Sequence, residues 1–115
     1  MRLKLKYFLL TLVLAGLVFG QNFIVPTTLP DITGDGAVHA IASTGSARWI
    51  IFAALSTNSS VIRLGDSNIT TSRGVPVPPG QSFSVFESTS TFRHSLAGWD
   101  YLIQSGDKLS ITYGQ

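Results

Sequence analysis

The chain has 115 residues, which fits one ordinary domain and excludes two. Charged residues make up 12% of it, about half the usual share, and the absence of cysteine excludes disulfides and metal–thiolate sites. Beyond residue 20 the chain carries five basic and six acidic groups, all scattered along the sequence. Because nucleic-acid binding needs clustered lysine and arginine, nucleic acid is not an expected partner.

Residues 1–20 have the pattern of a secretory signal peptide. A basic start precedes the apolar run 7–19, and Gly20 supplies a small residue before a cleavage site at Gln21. A run of this length makes a helix of about 20 Å, shorter than the ~30 Å hydrocarbon core of a bilayer. We therefore expect an exported protein, located outside the cell, at its surface or in a periplasm. A retained membrane anchor is the alternative.

Residues 21–36 hold two prolines and two glycines, which predicts an extended linker or a first edge segment. The folded domain is accordingly expected over residues 37–115. Within it, short apolar or alternating segments separated by turn residues predict strands at 37–43, 47–55, 60–64, 81–87, 99–104 and 108–113, with a brief return at 68–71.

Four of these segments carry more detailed expectations. In 81–87 the alternation predicts that Phe83 and Val85 point inward, and in 108–113 it places Leu109, Ile111 and Tyr113 on one face.

Residues 47–55 are the most hydrophobic, which predicts a central strand buried on both faces with Trp49 in the core; a helix is the main rival. The strands at 99–104 and 108–113 flank a Ser-Gly-Asp turn and are expected to pair as a hairpin.

The segment 73–80 contains three prolines and cannot lie in the centre of a sheet, because proline has no N–H for the ladder. It is expected to run along an edge, where Val75 and Val77 pack against the core and the prolines block the addition of a further strand.

The number and spacing of these segments predict an all-β fold. We expect a single small β-sandwich or jelly-roll-like domain of six or seven short antiparallel strands, preceded by the hydrophobic leader helix.

The pattern of turns from residue 61 to residue 113 resembles a small β-sandwich module of structural proteins in tailed-phage virions and prophages. It is carried by Arg63-Leu64-Gly65-Asp66, Arg73-Gly74-Val75-Pro76, Pro79-Gly80 and Ser105-Gly106-Asp107-Lys108. The resemblance implies a fibre or surface element of a virion, often trimeric, and makes a virion the alternative location.

No catalytic motif is present. The two histidines, His39 and His94, lie outside any recognisable motif, and neither a G-x-S-x-G elbow nor a glycine-rich phosphate loop occurs. Asp31 and Asp35 faintly resemble a calcium loop, but no glutamate completes it. We expect no enzyme, no catalytic residue, no metal site and no cofactor.

One loop combines aromatic, acidic and basic side chains in the way that sugar-binding sites do. These candidate ligand-binding residues are Arg93, His94, Trp99, Asp100 and Tyr101. The competing interpretation is that Trp99 and Tyr101, on one face of a strand, belong to the core.

Two functions therefore remain open. The favoured one is a non-enzymatic structural or assembly module that forms homo-oligomers, most readily a trimer, because low charge does little to keep copies apart. The alternative is a secreted module that binds a glycan or another cell-surface ligand.

Overall fold

A computed structural model describes residues 25–89 and 91–115, which form short strands and one 3₁₀ turn, Leu96–Gly98. The strands are β1 (Pro26–Thr28), β2 (Ile32–Thr33), β3 (Val38–Ala40), β4 (Ser46–Ala47), β5 (Trp49–Ala54), β6 (Ile62–Gly65), β7 (Val75–Val77), β8 (Ser82–Phe86), β9 (His94–Ser95), β10 (Asp100–Leu102) and β11 (Lys108–Gly114). The all-β class predicted from the sequence is confirmed. The predicted leader, residues 1–20, lies outside the described residues.

All strand pairs are antiparallel and form three sheets. A five-stranded sheet has the order β1-β11-β5-β8, with β2 also pairing with β11. A four-stranded sheet has the order β3-β10-β6-β7, and β4 pairs with β9 in a two-stranded sheet. The described part of the segment 21–36 thus joins the five-stranded sheet as its edge.

Most pairs are nested one inside another along the chain. The outermost pair is β1 with β11, followed inwards by β3 with β10, β4 with β9, β5 with β8, and β6 with β7. The chain therefore doubles back on itself around the loop between β6 and β7. Two further pairs, β5 with β11 and β6 with β10, connect the nested pairs side by side and so complete the two larger sheets.

One core lies between the two larger sheets. Ile50, Phe52, Leu109 and Ile111 come from the five-stranded sheet, and Ile62, Leu64 and Val77 come from the four-stranded sheet. Alternating side chains point to one face of a strand, so the buried positions i, i+2, i+4 follow the strand period. The predicted inward positions of β8 and β11 are confirmed. Phe83 and Val85 pack on the core, and Leu109, Ile111 and Tyr113 are buried in it.

The proline-rich segment lies at an edge, as predicted. It forms β7, the last strand of the four-stranded sheet, and Val75 and Val77 both pack into the core. Gly74 and Gly80 flank the strand with φ of 115° and 77°, a region that favours glycine. The short return predicted at 68–71 is only an isolated bridge between Thr70 and Arg73.

Three sequence predictions are wrong. The described residues hold eleven strands rather than six or seven, because several have only two or three residues and give no periodic signal. The strands at 99–104 and 108–113 do not form a hairpin, because β10 and β11 belong to different sheets. The turn between them carries the chain across the core, and Ile103 is buried there.

The third error concerns β5. It is a strand in the middle of its sheet, but it is buried on one face only: Ile50, Phe52 and Ala54 are buried, whereas Ile51 is 41% exposed. Trp49 shares the face of Ile51 and is half-buried outside the core. No second layer covers that face in the part of the chain described, so the apolar run does not indicate burial on both sides.

Candidate functional site

The predicted ligand-binding residues are divided between different surroundings. Trp99 leads from the 3₁₀ turn into β10, and its ring centroid lies 5.2 Å from that of Phe52 and 6.2 Å from that of Phe83. The ring is half-buried against the core. Much of the aromatic surface that a sugar would need is thus occupied by phenylalanine rings.

Tyr101 packs near a histidine–carboxylate pair instead of near Trp99. Its ring centroid lies 5.8 Å from that of His39, and His39 Nε2 lies 2.8 Å from Asp35 Oδ2. The N–H of Ala37 and then His39 lower the pKa of Asp35. Burial, and then the nearby Asp35 carboxylate, raise the pKa of Tyr101, so its phenol stays protonated at neutral pH.

Arg93, His94 and Asp100 complete the predicted set. Arg93 is exposed and donates a hydrogen bond to the carbonyl of Phe92, while His94 is half-buried in β9 opposite Ala47. Asp100 is half-buried in β10 between Ala40 and Gly65. The chain changes sheets between His94 and Asp100. The five residues therefore make different contacts and belong to different elements.

The best-formed cavity among the described residues has a volume of about 270 Å³, just below the usual range of ligand pockets. Its lining is mainly apolar and includes only Tyr101 from the predicted set: Leu29, Pro30, Asp31, Ile32, Ile41, Ala42 and Tyr101. Asp31 and Tyr101 are its only side chains with strong hydrogen-bonding groups. It could hold a small, largely apolar molecule.

A larger exposed feature is the outward side of the five-stranded sheet. We call it the outward face and define it by the solvent-side residues in the rows that β11 and β8 share with β5: Trp49, Ile51, Ala53, Ser82, Ser84, Phe86, Ser110 and Thr112. Across the strands these residues form rows, because Thr112 lies opposite Ile51 and Ile51 lies opposite Ser84. A second row places Trp49 beside Phe86, which is 70% exposed.

None of the residues of the outward face is charged. Its polar groups are serine and threonine hydroxyls, and Lys108 lies at the end of β11 beyond its last row. The charged groups of the domain lie on loops, on the four-stranded sheet or at strand ends. The outward face can accordingly be covered without the costly desolvation of an ion while Lys108, at its margin, stays in solvent.

Sequence reasoning missed this face, although part of its signal was present. Because the alternation predicts that Phe83 and Val85 point inward, it also predicts that Phe86 points outward with Ser82 and Ser84. The prediction that Trp49 is a core residue hid the fact that it lies beside Phe86 on this face. Which strands lie beside β8 is a property of the tertiary fold, so the rows could not be found from local alternation.

Among residues 25–89 and 91–115, no group of three histidine, aspartate or glutamate side chains is arranged to hold a metal ion. In the same described ranges, no helix has both the length and the apolar character needed to cross a membrane. Comparisons of the chain with protein-family models, with curated proteins and with solved structures found no match.

Proposed function

We propose that this protein is a non-enzymatic assembly module built as a β-sandwich of the jelly-roll kind. The strand orders support the architecture: two sheets, each with four principal strands, contain the nested pairs β1–β11, β3–β10, β5–β8 and β6–β7. Nearly every connection between these strands passes from one sheet to the other, as in a long hairpin wrapped around a core.

The outward face is the observation that carries the function. It combines Trp49, Ile51 and Phe86 with small hydroxyl side chains and no charge. Exposed apolar residues that are contiguous and free of charge mark interaction surfaces in soluble proteins.

We assign a second copy of this chain as the occupant of the outward face. Residues 25–115 carry five basic and six acidic groups, so two copies repel each other only weakly. Glycan sites, in contrast, usually add carboxylates or amides that bind pairs of hydroxyls, and this face has neither. A virion or cell-surface structure made of repeated copies is consistent with this assignment.

Native mass spectrometry of the full chain tests the proposal. We expect an oligomer, and the double variant Ile51→Thr/Phe86→Ser should raise its dissociation constant about tenfold or more, because each buried apolar side chain contributes roughly 1.5–3 kcal/mol. Val61→Thr is the matched control, since Val61 is 37% exposed and lies away from the outward face.

A chain that remains monomeric at tens of micromolar would overturn the proposal. So would an oligomer that Val61→Thr weakens as much as the double variant does. A change in Trp49 emission on addition of polysaccharides, in a monomeric chain, would identify the face as a glycan site instead.

A further inference from the structure

The two larger sheets have four edges, of which one is formed by β1 together with the two-residue β2, and three of the four edges are protected against the addition of another strand. β1 begins with Pro26 and is followed by Pro30, and β7 contains Pro76 and is followed by two more prolines. β3 has only three residues. Prolines and short strands are the usual means by which proteins prevent edge-to-edge pairing.

The strand at the fourth edge, β8, has no such protection. It has five residues, Ser82–Phe86, none of which is proline or charged. It ends the five-stranded sheet, and its only strand partner among the described residues is β5. Ser82, Ser84 and Phe86 are exposed along it.

The backbone groups that face outward on β8 can be assigned. The N–H of Glu87 donates to the carbonyl of Arg48 at 2.7 Å, and the N–H of Ala54 donates to the carbonyl of Gln81 at 2.9 Å. Backbone groups alternate in direction along an antiparallel strand, so the odd-numbered residues bond to β5. The N–H and C=O groups of Ser82, Ser84 and Phe86 therefore point to the open edge.

We propose that two copies of the chain pair through β8 in antiparallel orientation about a two-fold axis at Ser84, which joins their five-stranded sheets. This inference rests on the proposed assembly function and adds a second contact between copies, at the edge of the sheet beside the outward face. In this register Ser84 lies opposite the partner's Ser84, and Ser82 lies opposite the partner's Phe86. Every outward backbone group of the strand then finds a hydrogen-bond partner.

The side chains are complementary in the same register. Phe83 lies opposite the partner's Val85, an aromatic and β-branched pair that stabilises antiparallel strands. Both residues are only half-buried in one copy, although they pack on the core. Beyond the strand, Gln81 lies opposite the partner's Glu87, so an amide rather than a like charge meets the carboxylate. A two-fold interface of this kind gives an even number of copies, in contrast to the trimer implied by the phage resemblance.

Cysteine substitution tests the register, because the chain has no cysteine of its own. Residues that are directly opposite in a hydrogen-bonded pair have Cα atoms about 5.5 Å apart, within the range of a disulfide. Ser84→Cys should therefore form a covalent dimer under mild oxidation. Ser82→Cys is the matched control, because Ser82 is also an exposed serine of β8. The register places it roughly 14 Å from the partner's Ser82, so little covalent dimer should form.

Backbone substitution gives an independent measurement on the unoxidised protein. Ser84→Pro removes an outward N–H that β5 does not use, and native mass spectrometry of the full chain should show the loss of the even-numbered oligomer. Ser84→Thr keeps the N–H and should leave the oligomer intact; circular dichroism establishes that each variant is folded.

The outcomes separate the two proposals. A monomeric wild-type chain overturns both. An oligomer that survives Ser84→Pro, together with equal cross-linking at positions 82 and 84, leaves the assembly function standing and overturns the β8 interface. An oligomer with an odd number of copies would likewise overturn the β8 interface and leave the assembly function standing.

Discussion

At the scale of single residues, a buried carboxylate connects two loops that are distant in sequence. Asp107 is 5% exposed and accepts hydrogen bonds from Ser59 N at 2.9 Å, Ser59 Oγ at 3.2 Å and Ser60 N at 3.0 Å. The adjacent Asn58 side chain exchanges two further hydrogen bonds with the backbone of Lys108, each 2.8 Å long. Together they fix the loop after β5 to the beginning of β11.

These contacts predict acid sensitivity. The N–H groups of Ser59 and Ser60 and the Ser59 hydroxyl lower the pKa of Asp107 below its ordinary value of 3.8, although burial opposes them. A carboxyl with a lower pKa in the folded state contributes stability that is complete above the unfolded pKa and is lost as the pH falls through the folded pKa. Asp107 should therefore stabilise the fold fully above about pH 3.8 and lose that contribution in more acidic solution.

Asp107→Asn should lower Tm at neutral pH and weaken the dependence of Tm on pH in acid, because its amide presents a donor to N–H groups that need an acceptor. Asp66→Asn is the control, since the Asp66 carboxylate accepts one hydrogen bond, from Asn68 N, in an exposed turn. Thermal unfolding followed by circular dichroism measures both variants. Equal losses of Tm in the two variants would contradict the role given to Asp107.

At the scale of the strands, the difference between β7 and β8 is the feature with the clearest consequence. β7 has a buried Val77 and a half-buried Val75, with Pro76 between them, whereas β8 keeps all its outward N–H groups. We expect the prolines to limit the addition of a further strand to this edge.

Replacing Pro76, Pro78 and Pro79 together by threonine should preserve the fold and increase aggregation, because the edge regains donors for a further strand. Light scattering at rising concentration measures the change against the wild-type chain. Val77→Asp is the companion variant: it should strongly destabilise the fold, because it places a charge in the core. If the triple variant is as soluble as wild type and Val77→Asp is as stable as wild type, residues 73–80 form only a loose loop, which would contradict the edge role given to them.

At the scale of the whole molecule, the nested pairing joins residues near opposite ends of the chain. Pro26 lies opposite Gly114, and Thr28 lies opposite Thr112. Closing loops of this length costs chain entropy before the contacts form, so all-β folds of this kind fold slowly. We expect refolding of the chain to take roughly milliseconds to seconds.

Stopped-flow fluorescence measures this rate, because Trp99 packs against Phe52 and Phe83 only when both sheets are in place. Trp49→Phe removes the emission of the other tryptophan and serves as the background for the experiment. Refolding within microseconds would show that local contacts dominate and that the two arms of the chain form independently.

The sequence by itself determined the properties that depend on neighbours along the chain. The alternation in β8 and β11 identified the inward residues, since side chains on a strand repeat every second residue. The prolines of residues 73–80 identified an edge, because a residue without an N–H cannot complete a central ladder. The absence of helical periodicity after the leader identified the all-β class, whereas the leader itself lies outside the described residues.

Only the tertiary structure decided which strands meet. The turn at 105–107 has the sequence of a hairpin, but the buried Ile103 and the contacts of Asp107 direct β10 and β11 into different sheets. Likewise, His94 and Tyr101 are close in sequence but belong to different sheets. Conversely, Ile51, Ser84 and Thr112 are far apart in sequence and share one row of the outward face. Strand partners are selected by the burial of a common core, which is a property of the whole chain and has no local signature.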